Sequence, residues 1–165
     1  MNKLSVDELV SVSWAFSRLA YHSQQLFECL AKQSEKEVSA MTPEHMSNLL
    51  WSFANIDIKP SSKLIKELSA RMVRKIDTFR LQELATAVWS FASLEVFDKG
   101  VFECIAKQME KKMHKMTMPQ ELANTAWAFS RVNFAPSRLF DMIAQEAERA
   151  CSDFQPWDLV CNLDQ

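Results

Sequence analysis

Tryptophan stands at positions 14, 51, 89 and 127, so that three successive intervals are 37, 38 and 38 residues. No other feature constrains the fold as much, because a fixed period in this range belongs to arrays of stacked supersecondary units. The text around each Trp recurs too: LVSVSWAFSRL from Leu9, MSNLLWSFANI from Met46, LATAVWSFASL from Leu84 and LANTAWAFSRV from Leu122. A second stretch repeats at twice the period. FECLAKQSEKEVSAM from Phe27 and FECIAKQMEKKMHKM from Phe102 agree at nine of fifteen positions, 75 residues apart.

Both halves of the unit read as helix. The 165 residues include one Gly and five Pro, too few turn-formers for a many-stranded sheet, and 48% are hydrophobic, enough to bury a core. Pro60 and Pro136 break the chain between the halves. Helix starts are marked by Ser5 with Glu8, a capping box, by Thr42 before Pro43, and by Pro119 and Pro156 at the equivalent first position. The expected fold is all-α: one α-solenoid, of right-handed type, with helix-turn-helix repeats at about 5–41, 42–78, 79–117 and 118–154, and a partial fifth repeat or cap at 155–165.

The repeats can be laid over one another by numbering the first helix (helix A) from Leu9, Met46, Leu84 and Leu122 as position 0. At about 100° per residue, positions 0, 3, 7 and 10 share a face that packs on second-helix (helix B) residues such as Phe27, Leu30, Ile65, Leu68, Phe102, Ile105, Phe140 and Ile143. Leu19 belongs to that expected core. Positions 1 and 8 are mostly small, as with Ala54, Ala85, Ala92 and Ala123, which leaves room for the Trp at position 5 to pack internally against the next repeat.

Positions 2, 6, 9 and 13 form the informative face, polar and variable. The residues that a partner would meet there are Ser11, Arg18 and His22; Asn48, Ser52, Asn55 and Lys59; Thr86, Ser90 and Ser93; and Asn124 and Arg131. Ala15, Phe97, Ala128 and Ala135 complete the set, and none of the sixteen is acidic. One set of small polar and basic side chains per repeat suits the reading of successive bases of single-stranded RNA. On that reading Asn48, Asn55, Asn124, Arg18 and Arg131 face bases, and helix B cations such as Arg71, Arg74, Lys75, Lys107, Lys111, Lys112 and Lys115 meet phosphates. The alternative is a solvated or protein-binding face.

Catalytic chemistry is not indicated. His22, His45 and His114 fall in different repeats without metal-ligand spacing, and the single Gly100 excludes a glycine-rich phosphate loop. No catalytic residue, metal, cofactor or small-molecule substrate is expected, and the chain is expected not to be an enzyme. Cys29, Cys104, Cys151 and Cys161 lack CxxC spacing and read as buried thiols without a disulfide. No membrane span is expected, MNKLSVDEL has neither signal nor transit character, and a net charge of −2 leaves the partner open.

The WAFSR and ELANTAWAFSRV strings resemble the octotricopeptide repeat class and, distantly, FAST-kinase-like and RAP-type proteins, over nearly all of residues 5–163. The resemblance implies helical pairs of about 38 residues in an organellar protein of algal, dinoflagellate or apicomplexan type. Such proteins enter chloroplasts or mitochondria, bind transcripts and support their maturation, stability or translation, or become parts of large organellar assemblies. This array is shorter and more acidic than such regulators, and its proline-rich motif is reduced to TPEHM, MPQEL and QPWDL. These departures point toward a scaffold or accessory structural subunit of an organellar complex, or a segment of a longer chain.

Overall fold

The structure, a computed structural model, describes residues 4–113 and 119–151, the side chain of Cys151 excepted. The described residues form eight α-helices: α1 (Val6–Arg18), α2 (Gln24–Glu37), α3 (Pro43–Asn55), α4 (Ser62–Arg74), α5 (Leu81–Ser93), α6 (Lys99–Lys112), α7 (Pro119–Arg131) and α8 (Ser137–Cys151). The odd-numbered helices are the A helices and the even-numbered the B helices, with short 3-10 turns at Val38–Ala40 and Ile76–Thr78 leading from B to the next A. The expected fifth repeat, Pro156 included, lies outside the described residues.

Five of the eight helices, α1, α2, α3, α4 and α6, begin at a side chain that accepts from a first-turn amide. Ser5 accepts from the Glu8 amide at 3.3 Å while Glu8 accepts from the Ser5 amide at 2.8 Å, closing the expected capping box. This contact, from the Ser5 backbone first and its hydroxyl second, holds the Glu8 carboxyl below the usual range. Thr42, Ser61 and Asp98 cap α3, α4 and α6 in the same way, and Pro43 and Pro119 open α3 and α7.

All four A helices end alike. Ala20, Asp57, Glu95 and Asn133, one position of the repeat, take φ between 49° and 55°. The next amide reaches back to the Phe of position 7: Tyr21 to Phe16, Ile58 to Phe53, Val96 to Phe91 and Phe134 to Phe129, at 2.9–3.1 Å. These are Schellman motifs built without glycine. They reverse the chain into each B helix.

The A helices pack side by side, α1 on α3 on α5 on α7, and the B helices likewise, α2 on α4 on α6 on α8; the A layer is the tighter of the two. Small residues permit that approach. Ser13, Ser47, Ser52, Ser90, Ala85, Ala87, Ala92, Thr125 and Ala128 are buried in the A layer. Their hydroxyls are satisfied locally: Ser13, Ser52, Ser90 and Thr125 donate to the carbonyl four residues back at 2.6–2.8 Å. Ser47 donates both to Pro43 and, across the repeat boundary, to the Glu83 carbonyl, each at 3.0 Å. Between the layers Phe27 meets Phe53 edge-on at 5.3 Å and Phe102 meets Phe129 at 5.5 Å, so that a B helix aromatic wedges against the A helix of the following repeat.

Burial fixes which side of an A helix faces which neighbour. Positions 6 and 10 face the preceding repeat: Ser52, Ser90, Ala128, Ile56 and Leu94 are buried, whereas Ala15 and Leu19 of α1, which has no A helix on that side among the described residues, are exposed. Leu19, expected in the core, is 76% exposed for this reason. Positions 1 and 8 face the following repeat, so Val10, Ser17, Ala85 and Ala92 are buried while Ala123 and Ser130 of α7 are exposed.

Two further expectations are corrected. The Trp column is not internal: Trp14 and Trp127 are 46% and 45% exposed, and Trp51 and Trp89 are half-buried. Positions 1 and 8 already fill the space between repeats, which leaves position 5 at the layer's edge. The thiols are not both buried either, since Cys29 is exposed and Cys104 half-buried; Cys151 and Cys161 fall outside the described side chains.

Candidate nucleic-acid interface

With positions 6 and 10 turned to one neighbour and 1 and 8 to the other, the open part of each A helix is the arc of positions 2, 5 and 9, which lie within about 60° of one another. The arc carries Ser11, Trp14 and Arg18; Asn48, Trp51 and Asn55; Thr86, Trp89 and Ser93; and Asn124, Trp127 and Arg131. It forms a ridge along the A layer with one indole per repeat and no carboxylate among these twelve side chains.

The indoles are its organising feature. Trp89 and Trp127 lie with ring centroids 6.2 Å apart and planes tilted by 35°, and the Arg18 guanidinium sits 5.6 Å from the Trp14 ring centroid. The i, i+4 spacing of positions 5 and 9 produces that second contact.

The residues expected to contact a partner are not equally available. Ser11, Arg18, His22 and Arg131 are exposed, and Asn48, Thr86, Ser93 and Asn124 are half-buried on or beside the ridge. Ser52 and Ser90 are buried completely, withdrawn into the boundary with the preceding repeat. Asn55 is exposed as a residue, but its amide donates to the Ser17 carbonyl at 3.1 Å and hydroxyl at 3.0 Å, tying α3 to α1. The Asn124 oxygen accepts from Gln120 at 3.0 Å.

One residue that sequence reasoning missed changes the electrostatics. Glu95 follows α5 by two residues, outside the four columns of the polar face, and the left-handed turn swings it to the ridge. There it accepts from Lys59 at 2.8 Å and lies 3.8 Å from Arg131, joining three consecutive repeats. The Lys59 hydrogen bond and charge, with Arg131 behind them, hold its carboxyl below the usual range. The signal that could have found it is the recurring left-handed position, occupied by Ala20, Asp57, Glu95 and Asn133.

The acids before the polar face behave as helix-start residues. Glu83 accepts from the Arg80 amide at 2.7 Å, and Glu121 is pushed above the usual range by burial. Several helix B cations hold repeats together: Lys63 meets Glu35 at 3.2 Å, Lys111 meets Asp77 at 4.0 Å, Arg71 donates to the Ser39 carbonyl and Lys112 to the Phe79 carbonyl. Lys115 lies outside the described residues. Among the described residues no group of three His, Cys, Asp or Glu side chains is placed to hold a metal, and no helix is long and apolar enough to cross a membrane.

A family model described as RNA-editing substrate-binding complex 6 protein matches residues 1–164. The curated proteins contain no match to the chain.

Proposed function

The chain belongs to the RNA-editing substrate-binding complex 6 protein family, and from that premise we propose that it is a non-catalytic subunit of such a complex that holds single-stranded RNA along the A-layer ridge. The observation that carries this reading is the row of one indole per repeat along the ridge, exposed at Trp14 and Trp127 and half-buried at Trp51 and Trp89, flanked by Ser, Asn, Thr or Arg at positions 2 and 9. Bases stack on aromatic faces with about 1–3 kcal/mol each and little sequence preference. The polar neighbours supply donors and acceptors for base edges, and Arg18, Lys59 and Arg131 supply charge for phosphates. The octotricopeptide repeat type and an organellar location, chloroplast or mitochondrion, belong to the same proposal and rest on the repeat text and the family.

A second reading, a protein-binding scaffold of the complex, is favoured by one specific observation: Glu95 engages both Lys59 and Arg131. The two readings separate in a binding assay. Arg18→Ala with Arg131→Ala is expected to weaken binding of single-stranded RNA and to flatten its salt dependence. No detectable RNA binding by the unsubstituted chain at low salt sinks the RNA reading, and retention in a defined complex after nuclease treatment then supports the scaffold.

A further inference from the structure

In the opposite layer α4 and α6 meet without a polar tie. Among the described residues no side-chain hydrogen bond or ion pair joins these two helices. By contrast, Lys63 and Ser61 bind Glu35 between α4 and α2, and Arg138 binds Glu110 between α8 and α6. Between α4 and α6 runs a groove of about 990 Å³; one between α2 and α4 measures about 390 Å³, and one between α2 and the turn before α4 about 260 Å³.

The groove floor is apolar, formed by Ile65, Ala70 and Val73 of α4, Phe97 of the turn, and Val101 and Cys104 of α6. Phe97 and Val73 are 49% and 36% exposed, an unusual outlay of apolar surface on neighbouring elements. The α4 wall runs from Ser62 to Arg74, about 18 Å of helix at about 1.5 Å per residue, enough to flank three turns of a second helix.

Its charges are lopsided. The acids at the turn end are engaged, Glu95 by Lys59 and Asp98 as the cap of α6. Lys66 has no carboxylate partner among the described residues, and Arg74 only donates to the Ala70 carbonyl of its own helix at 3.1 Å. The rim therefore presents uncompensated positive charge beside an apolar floor. An RNA backbone would meet the charge but gain nothing from the floor.

The geometry points to a docking site for an amphipathic helix of a protein partner, its apolar i, i+3, i+4, i+7 face on Ile65, Val73 and Phe97 and its acidic flank against Lys66 and Arg74. The chain then joins its complex through the B layer while the A layer stays open. The groove shares only Lys59 and Glu95 of its turn end with the ridge; the contacts at Ile65, Lys66, Val73 and Arg74 lie outside it, so either surface can fail without the other.

The test uses the complex as purified, treated with nuclease and with a zero-length carboxyl-to-amine crosslinker. Lys66 is expected to join an Asp or Glu of another protein, and a labelled peptide of that segment to bind the full chain by fluorescence anisotropy. Lys66→Glu with Arg74→Glu should weaken that peptide by about tenfold or more, and reversing the peptide's acids to Lys should restore it. Val73→Glu should abolish binding, and Arg18→Ala should leave it unchanged. Both charge reversals are on exposed side chains, and unchanged thermal melting confirms that they fold. A crosslink from Lys66 only to a second copy of the chain or to no protein, or peptide affinity indifferent to the charge reversal, overturns the proposal.

Discussion

Replacing Glu95 with Gln isolates the charge that sits on the ridge. Its side chain touches Lys59 at 2.8 Å and approaches Arg131 to 3.8 Å, and all three are more than half exposed. Its pKa is lowered, by the Lys59 hydrogen bond first, so the carboxylate stays ionised at any pH suitable for RNA work and only substitution removes it. Gln keeps the size and tolerates the same left-handed backbone, so the repeat is undisturbed. Two cations then become available to phosphates. Each neutralised phosphate of a single strand adds about 0.7 to the slope of log K against log salt, so the variant's slope should steepen by up to about 1.4. Between about 50 and about 200 mM salt that is an extra loss of about sevenfold for the variant, from a higher affinity at the low-salt end. A salt titration of labelled single-stranded RNA by fluorescence anisotropy reads both. An unchanged slope, with the fold intact by thermal melting, refutes the assignment of Lys59 and Arg131 to phosphates.

Two stability predictions follow from the same repeat geometry. Leu19→Ala should change unfolding free energy by less than about 0.5 kcal/mol, whereas Ile56→Ala, at the same repeat position but 2% exposed, should cost about 2–5 kcal/mol in urea denaturation; equal losses would contradict the assignment of position 10 to the preceding repeat. Ala20→Gly should stabilise by about 0.5–1 kcal/mol, because φ of 49° strains an alanine by more than the extra backbone entropy of glycine costs, and a lower melting temperature would count against it.

The repeat, the helix pairs and the helix starts were legible because they depend on local rules: a period, a capping residue, a proline. What the sequence did not settle was which side of each helix meets a neighbour. Leu19, Ile56 and Leu94 occupy one column with similar side chains, yet among the described residues only the last two have a preceding repeat to cover them. Ser52 and Ser90 are polar in text but lie where the A helices approach most closely, and a hydroxyl satisfied by its own helix is as acceptable there as Ala128. The Trp column was expected inside because the small residues at positions 1 and 8 were read as leaving room for it. Small residues at positions 1 and 8 do not make room for it; they are themselves the contact, and the indole is left on the edge. Glu95 escaped notice because it belongs to a turn, where direction is set by backbone handedness rather than by helical period.

The most direct measurement of the central claim is photo-crosslinking of 4-thiouridine-substituted single-stranded RNA to the chain in its purified complex, with the attachment sites mapped by mass spectrometry. The ridge account predicts crosslinks on the segments carrying Trp14, Trp51, Trp89 and Trp127, lost in competition with unlabelled RNA. Crosslinks confined to the B helices, or a ridge covered by protein with no RNA attached, would contradict it.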